Sequence, residues 1–209
     1  MNISATLSVF KLLRDPSLCL PHSTISTFQH LPIPLSGAFR SRKADIRAVV
    51  LDKDNCFAIP HANTVHKAYQ DTFQRLRAEY PGARLLIVSN SAGTDDDGGA
   101  KAAALLEQNT GVTVLRHSTK KPGIHPQIMQ HFLAHPDSGV THPSHVAIVG
   151  DRLFTDVMMG NMMGSWSVWV RDGVVPSKGM LPRLEGHLAD FLTRRGYQPQ
   201  IPGTGGPFE

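Results

Sequence analysis

The sequence predicts an α/β domain built on a doubly wound, mostly parallel sheet. Three observations predict it. Short apolar runs rich in β-branched residues, such as Ala48-Val49-Val50-Leu51 and Val146-Ala147-Ile148-Val149, fit strands buried on both faces. Helix-forming stretches alternate with these runs. Several runs end abruptly in a polar or charged residue, at the edge where open α/β sheets bind ligands.

The elements follow in order. Residues 2–14 carry Ile3, Leu7, Phe10 and Leu13 on one face and Ser4, Ser8 and Lys11 on another, the pattern of a short amphipathic helix. Asp15-Pro16 should end it. A helix of about a dozen residues cannot span a bilayer but can lie on one; packing on its own domain is the alternative. Cleavable targeting peptides are also amphipathic, but Arg-rich, and only Arg14 precedes residue 40. Residues 16–36, rich in Pro, Ser and Thr, read as an extended arm packed on something else. Residues 46–51 are the first expected strand. Asn63 is the expected cap of a helix running to about Glu79 and closed by Pro81-Gly82. Strands are expected over 84–88, 112–115, 145–149 and 167–170. Helices are expected over 98–109, with Gly111 as C-cap, then 125–134, 153–163 and 181–195. The Pro- and Gly-rich tail 199–209 reads as flexible. The expected organisation is an extension over 1–44, one catalytic domain over 45–196 and a tail over 197–209.

A chain of 209 residues can bury one good core. No apolar run approaches the ~18 residues of a transmembrane helix. Cys19 and Cys56 make no disulfide framework. Neither begins a Cys-x5-Arg phosphatase loop, because Ile25 and Ala62 stand at the arginine positions. His135, His142 and His145 sit in a loop-like stretch that suits solvated histidines better than a zinc site. The net charge of +4 is carried by the first 44 residues, where Lys11, Arg14, Arg40, Arg42 and Lys43 face Asp15 alone. The rest of the chain is balanced, which argues against a nucleic-acid partner for the folded domain.

The reactive residues gather at strand ends. Asp52 and Asp54 close the 46–51 run, and their i, i+2 spacing puts both on one face. Two neighbouring carboxylates repel, so they need a cation between them or a shared proton. Ser89 ends the next strand, Lys121 follows the third, and Asp151, with Asp156 five residues on, follows the fourth.

This set of four motifs resembles the haloacid-dehalogenase (HAD) phosphatase superfamily. The motifs are Asp52-Lys53-Asp54-Asn55-Cys56, Ile87-Val88-Ser89-Asn90, Lys121-Pro122 and Gly150-Asp151-Arg152-Leu153-Phe154-Thr155-Asp156. The resemblance covers residues 46–170 and implies the HAD-like doubly wound (Rossmann-like) fold. Cys56 departs from the usual Thr or Val. The resemblance implies that Asp52 is the nucleophile and forms an aspartyl-phosphate. Asp54 then protonates the leaving alkoxide and afterwards activates water, for which a raised pKa beside Asp52 is useful. Ser89, Asn90 and Lys121 would bind the phosphoryl oxygens. Mg²⁺ is the implied cofactor, held by Asp52, Asp151, the Asp54 carbonyl and Asp156 as ligand or close support. Only 34 residues separate Asp54 from Ser89, and the 89–121 stretch is also short. Neither leaves room for a cap domain. An open site suits a large substrate presented on a surface, or a homo-oligomer in which a neighbour covers it.

The likeness narrows at the N-terminus. Met1-Asn2-Ile3-Ser4 with Leu7, then Pro16-Ser17-Leu18-Cys19 and Leu31-Pro32-Ile33-Pro34, are similar to the fungal mitochondrial phosphatidylglycerophosphatase family. That family implies removal of the terminal phosphate of phosphatidylglycerophosphate in cardiolipin synthesis. It also implies an anionic phospholipid substrate and a peripheral place on the matrix side of the mitochondrial inner membrane. Lys53, Arg116, His117 and Arg152 are the headgroup selectors expected from proximity to the motif loops. The competing readings are a soluble HAD phosphatase of a sugar phosphate or phosphoprotein, a receiver-type signalling domain and an inactive membrane adaptor. A receiver lacks the second carboxylate two residues after its acceptor, and the complete motif set argues against an inactive adaptor.

Overall fold

A computed structural model describes residues 11–203, apart from 43, 96, 98, 99 and 177–179. Six strands form one sheet, β1 (Ser23–Ile25), β2 (Ala48–Leu51), β3 (Leu85–Ile87), β4 (Thr113–Val114), β5 (Val146–Gly150) and β6 (Trp166–Val170). Their order is β1-β6-β5-β2-β3-β4, and every neighbouring pair is parallel. The helices are α1 (Gln70–Glu79), α2 (Lys101–Thr110), α3 (His125–Leu133), α4 (Met158–Met163) and α5 (Met180–Arg194).

Strand alternation divides the core into two layers. Val49, Leu51 and Ile87 pack on one face against Phe57, Phe73 and Leu76. Ala48, Val50 and Leu86 pack on the other against Ile128, Phe132 and Met159. This is the doubly wound α/β sheet expected from the sequence. The chain winds outward from β2 through β3 to β4, then returns to place β5 on β2's other side. That reversal opens a crevice at the C-terminal ends of β2 and β5. One helix and short turns connect Asp54 to Ser89, and α2 with β4 fills the 89–121 stretch, so no cap domain is inserted among the described residues.

The N-terminal region departs from expectation. The sheet does not begin at residue 46. β1 pairs with β6 in the register Ser23↔Val168, Thr24↔Trp169 and Ile25↔Val170. It thereby satisfies backbone groups that would otherwise lie open on β6. Leu18, Leu20, Phe28, Leu31, Leu35 and Phe39 are buried in the core. The Asn161 side chain on α4 donates to the carbonyls of Leu18 (2.8 Å) and Leu20 (2.9 Å). Residues 16–42 are therefore structural parts of the domain, and an autonomous domain starting at 45 is not what the packing shows.

Residues 11–14 are helical and stop at Asp15, whose carboxylate accepts from the Ser17 N–H at 3.0 Å. The remainder of the expected first helix, residues 1–10, lies outside the described residues. α1 starts at Gln70 rather than after Asn63. The Asn63 carbonyl instead accepts from Asn109 at 2.8 Å, and the chain turns there to bring His66 N–H to the Phe57 carbonyl at 2.9 Å. Gly111 ends α2 at φ +66°, as the sequence indicates. The tail begins packed, because Gln200 donates to Asp15 at 2.7 Å and its carbonyl lies 2.7 Å from His22 Nε2. Residues 204–209 lie outside the described residues.

Candidate active site

The C-terminal ends of β2, β3 and β5, with the loop around Lys121, bring the four motifs into one open pocket of about 710 Å³. Asp52, Asp54, Asn90, Lys121, Asp151 and Asp156 all line it. Ser89 lies beneath, fully buried.

Charge organises the centre. One ligand atom each from Asp52, Asp151 and Asp156 falls within 4.8 Å of the others. The ammonium of buried Lys121 bridges Asp52 and Asp156, the latter at 2.5 Å, and donates to the Val88 carbonyl at 3.2 Å. Burial opposes its charge, but Asp156 and Asp52 hold it protonated far above neutrality. Burial pushes Asp52 well up from the usual carboxylate range; Lys121 opposes this, and Asp156 and Asp151 add to it. Burial and the Asp156 charge likewise raise Asp151 to about 7. Three carboxylates thus cluster around one ammonium, which pairs with two of them. Their all-oxygen donor set and uncompensated negative charge fit a hard divalent cation. Among the described residues this is the one group of three acidic, His or Cys side chains so arranged.

Local backbone makes this convergence attainable. Gly150 ends β5 where a Cβ would lie 2.3 Å from Asp156 Cγ, so only glycine lets Asp156 turn back against the strand. Asn55, at φ +61°, donates to Asp151 at 3.2 Å. Its Oδ1 accepts the N–H groups of Val174 (3.1 Å) and Val175 (2.9 Å), tying the loop after β6 to the first motif.

Asp54 differs from the expectation of a raised pKa. Burial alone would raise it, but hydrogen bonds from Lys53, Ser91 and the His61 N–H prevail and hold it below the ordinary range. The Lys53 ammonium lies 2.6 Å and the His61 N 2.7 Å from Oδ1, while Ser91 and Ser89 (3.2 Å) donate to Oδ2. The Asp54 carboxylate is not in the Asp52–Asp151–Asp156 cluster. The Asn90 Oδ1 accepts from the Lys121 backbone N–H at 2.9 Å, so in this arrangement it orients the Lys121 loop.

Three of the four expected headgroup selectors do not line the pocket. Lys53 is buried. Arg116 pairs with Glu107. His117 is buried between the carbonyls of Ser89 (2.9 Å) and Thr119 (2.8 Å). Arg152 does line the pocket, and buried Glu185 on α5 holds its guanidinium at 2.7 Å. Glu185 also accepts the Leu153 N–H at 3.0 Å, fixing the fourth motif from a distant helix. Ser91 and Glu185 are the participants that motif reading missed. Ser91 lies two residues beyond Ser89, close enough for local reading to find, whereas no local signal marks Glu185.

A parallel sheet carrying this arrangement at its switch point defines a HAD-type phosphatase. The particular family follows from comparison with known sequences. The family described as mitochondrial PGP phosphatase matches residues 3–175, and the chain belongs to it. It is 48% identical over 192 residues to phosphatidylglycerophosphatase GEP4, mitochondrial, of Saccharomyces cerevisiae, covering 92% of this chain and 99% of that protein. It is 32% identical to a probable mitochondrial phosphatidylglycerophosphatase of Schizosaccharomyces pombe, covering 95% and 97%. It is 31% identical to phosphatidylglycerophosphate phosphatase 1, chloroplastic/mitochondrial, of Arabidopsis thaliana, over 80% of this chain and 45% of that one.

Proposed function

We propose that the protein hydrolyses the terminal phosphate of phosphatidylglycerophosphate, leaving phosphatidylglycerol and inorganic phosphate. The observation that supports this most is the near full-length identity to a phosphatidylglycerophosphatase, combined with an uncapped pocket holding the complete acidic set. Asp52 attacks phosphorus in line, and its carboxylate becomes an aspartyl-phosphate. Lys121 offsets charge on the phosphoryl oxygens and on Asp52. Ser89, fully buried with a hydroxyl that can rotate, donates to a phosphoryl oxygen once substrate displaces its bond to Asp54. Asp54 donates a proton to the departing alkoxide and takes one from water in the second half. Because Asp54 is ionised in the free site, its proton arrives with the substrate. A phosphomonoester has a second pKa of about 6 and is partly monoprotonated near neutrality.

Mg²⁺ is the proposed metal, with Asp52, Asp151 and Asp156 as side-chain ligands and the Asp54 carbonyl beside them. Bound there, it would supply positive charge for the phosphoryl oxygens.

The proposed setting is the matrix side of the mitochondrial inner membrane, with peripheral attachment through the N-terminal residues. No helix among the described residues is long and apolar enough to cross a membrane. Leu13 is 76% exposed beside exposed Arg14, and both lie within the first 44 residues, which carry the chain's positive excess. Such a segment binds anionic bilayers through apolar contact and about 1 kcal/mol per basic residue. A phosphate-release assay with Mg²⁺ tests the reading, using phosphatidylglycerophosphate, phosphatidate and a soluble alkyl phosphate in parallel. The expected result is strong preference for phosphatidylglycerophosphate, with high salt weakening vesicle binding. Equal turnover of the soluble ester would favour a soluble-substrate phosphatase instead.

A further inference from the structure

We propose that Lys53 is a positioning residue that gives the two oxygens of Asp54 separate tasks in proton transfer. The inference rests on Asp54 being the general acid and base. Lys53 is 1% exposed, so it is not placed to meet a lipid headgroup. A buried ammonium is costly unless paired. Its partners are Asp54 Oδ1 at 2.6 Å and the Ala62 carbonyl at 3.1 Å.

The two oxygens therefore differ. Oδ1 accepts from the Lys53 ammonium and from the His61 N–H at 2.7 Å. Neither donor can reverse its role, so a proton on Oδ1 would displace at least one of them. Oδ2 faces only the hydroxyls of Ser91 and Ser89. Hydroxyls rotate and can accept as well as donate. Oδ2 is thus the oxygen able to carry and exchange a proton, on the side of Ser89 and Ser91. Lys53 also tethers the turn that supplies the His61 N–H, since it holds Ala62 in the same turn. One side chain fixes both the rotation of the carboxyl and its second donor.

The proton balance is simple. As the Asp52–phosphorus bond forms and the ester P–O bond breaks, the Oδ2 proton moves to the leaving alkoxide oxygen. In the second half, water bonds to phosphorus as the Asp52–phosphorus bond breaks, and Oδ2 receives the water's proton.

The test is a double-mutant cycle in the full chain. Lys53→Met, Asp54→Asn and the double variant are compared in single-turnover phosphorylation by an alkyl and an aryl phosphate. The aryl ester has a good leaving group and needs little proton donation. Lys53→Met should slow the alkyl reaction at least about ten-fold more than the aryl one. The double variant should be no slower than Asp54→Asn alone, because Lys53 acts through Asp54. Equal slowing of both esters by Lys53→Met, or additive losses in the double variant, would overturn the proposal. If Asp54→Asn itself slows both esters equally, the acid role of Asp54 fails first, and the Lys53 role with it. Should Lys53→Met melt below the assay temperature, Lys53→Arg carries the test. It keeps the cation, so its alkyl-to-aryl ratio should stay within about three-fold of wild type; a ratio as low as that of Asp54→Asn would overturn the proposal.

Discussion

Removing residues 1–44 should unfold this protein rather than merely release it from a membrane. The deletion takes away β1 and leaves the outer edge of β6 unpaired. It also removes Leu18, Leu20, Phe28, Leu31, Leu35 and Phe39, none more than 4% exposed. Burying such a side chain contributes about 1.5–3 kcal/mol, so the six together contribute about 9–18 kcal/mol as an upper estimate. A domain's whole stability is about 5–15 kcal/mol. The truncated chain should therefore show no cooperative thermal transition by circular dichroism and no hydrolysis of a soluble aryl phosphate. A chain lacking only residues 1–10 keeps every one of these contacts. It should melt near wild type and retain the soluble activity, while co-sedimenting more weakly with anionic vesicles, because Ile3, Leu7 and Phe10 are gone but all five basic residues remain. A 45–209 chain that melts cooperatively within a few degrees of the full chain would refute the reasoning.

Three further outcomes follow from the charge balance. Asp151 binds its proton up to a pH of about 7 in the fold, against 3.8 ordinarily, so the folded state holds a proton that the unfolded chain gives up between those values. Stability of the metal-free protein should fall as pH rises through that window, by at most about 4 kcal/mol. Melting should thus be higher at pH 6 than at pH 8 without metal, and Mg²⁺ should raise it more at pH 8; the reverse order would contradict the assignment. Lys121→Met leaves Asp52 and Asp156 without their shared ammonium and should cost about 3–5 kcal/mol in denaturant unfolding, partly restored by Mg²⁺. Asp54→Asn should impair steady-state hydrolysis of aryl phosphate as well as alkyl, because the second half still needs a base; an unchanged aryl kcat would remove that role.

Much of this was legible in the chain. The alternation of apolar runs and helical stretches located five of the six strands, and the strand-end residues Asp52, Ser89, Lys121, Asp151 and Asp156 did converge. β1 was missed because Ser23-Thr24-Ile25 is only three residues long, and an edge strand is defined by the partner it covers rather than by its own pattern. The charge state of Asp54 was missed for a similar reason. Its donors from His61 and Ser91 come from a turn and a strand end that only the fold brings together. Lys53 looked like a substrate cation because its charge was visible in the sequence and its burial was not.

The covalent step through Asp52 is the centre of the account, and acid-quench trapping tests it most directly. The enzyme would be mixed with phosphatidylglycerophosphate labelled in the terminal phosphate, quenched in acid within a single turnover, digested and mapped. Label should appear on the peptide containing Asp52, disappear with further turnover, and be absent from a folded Asp52→Asn variant that releases no phosphate. Label on another peptide, or phosphate release at the wild-type rate from Asp52→Asn, would contradict the mechanism.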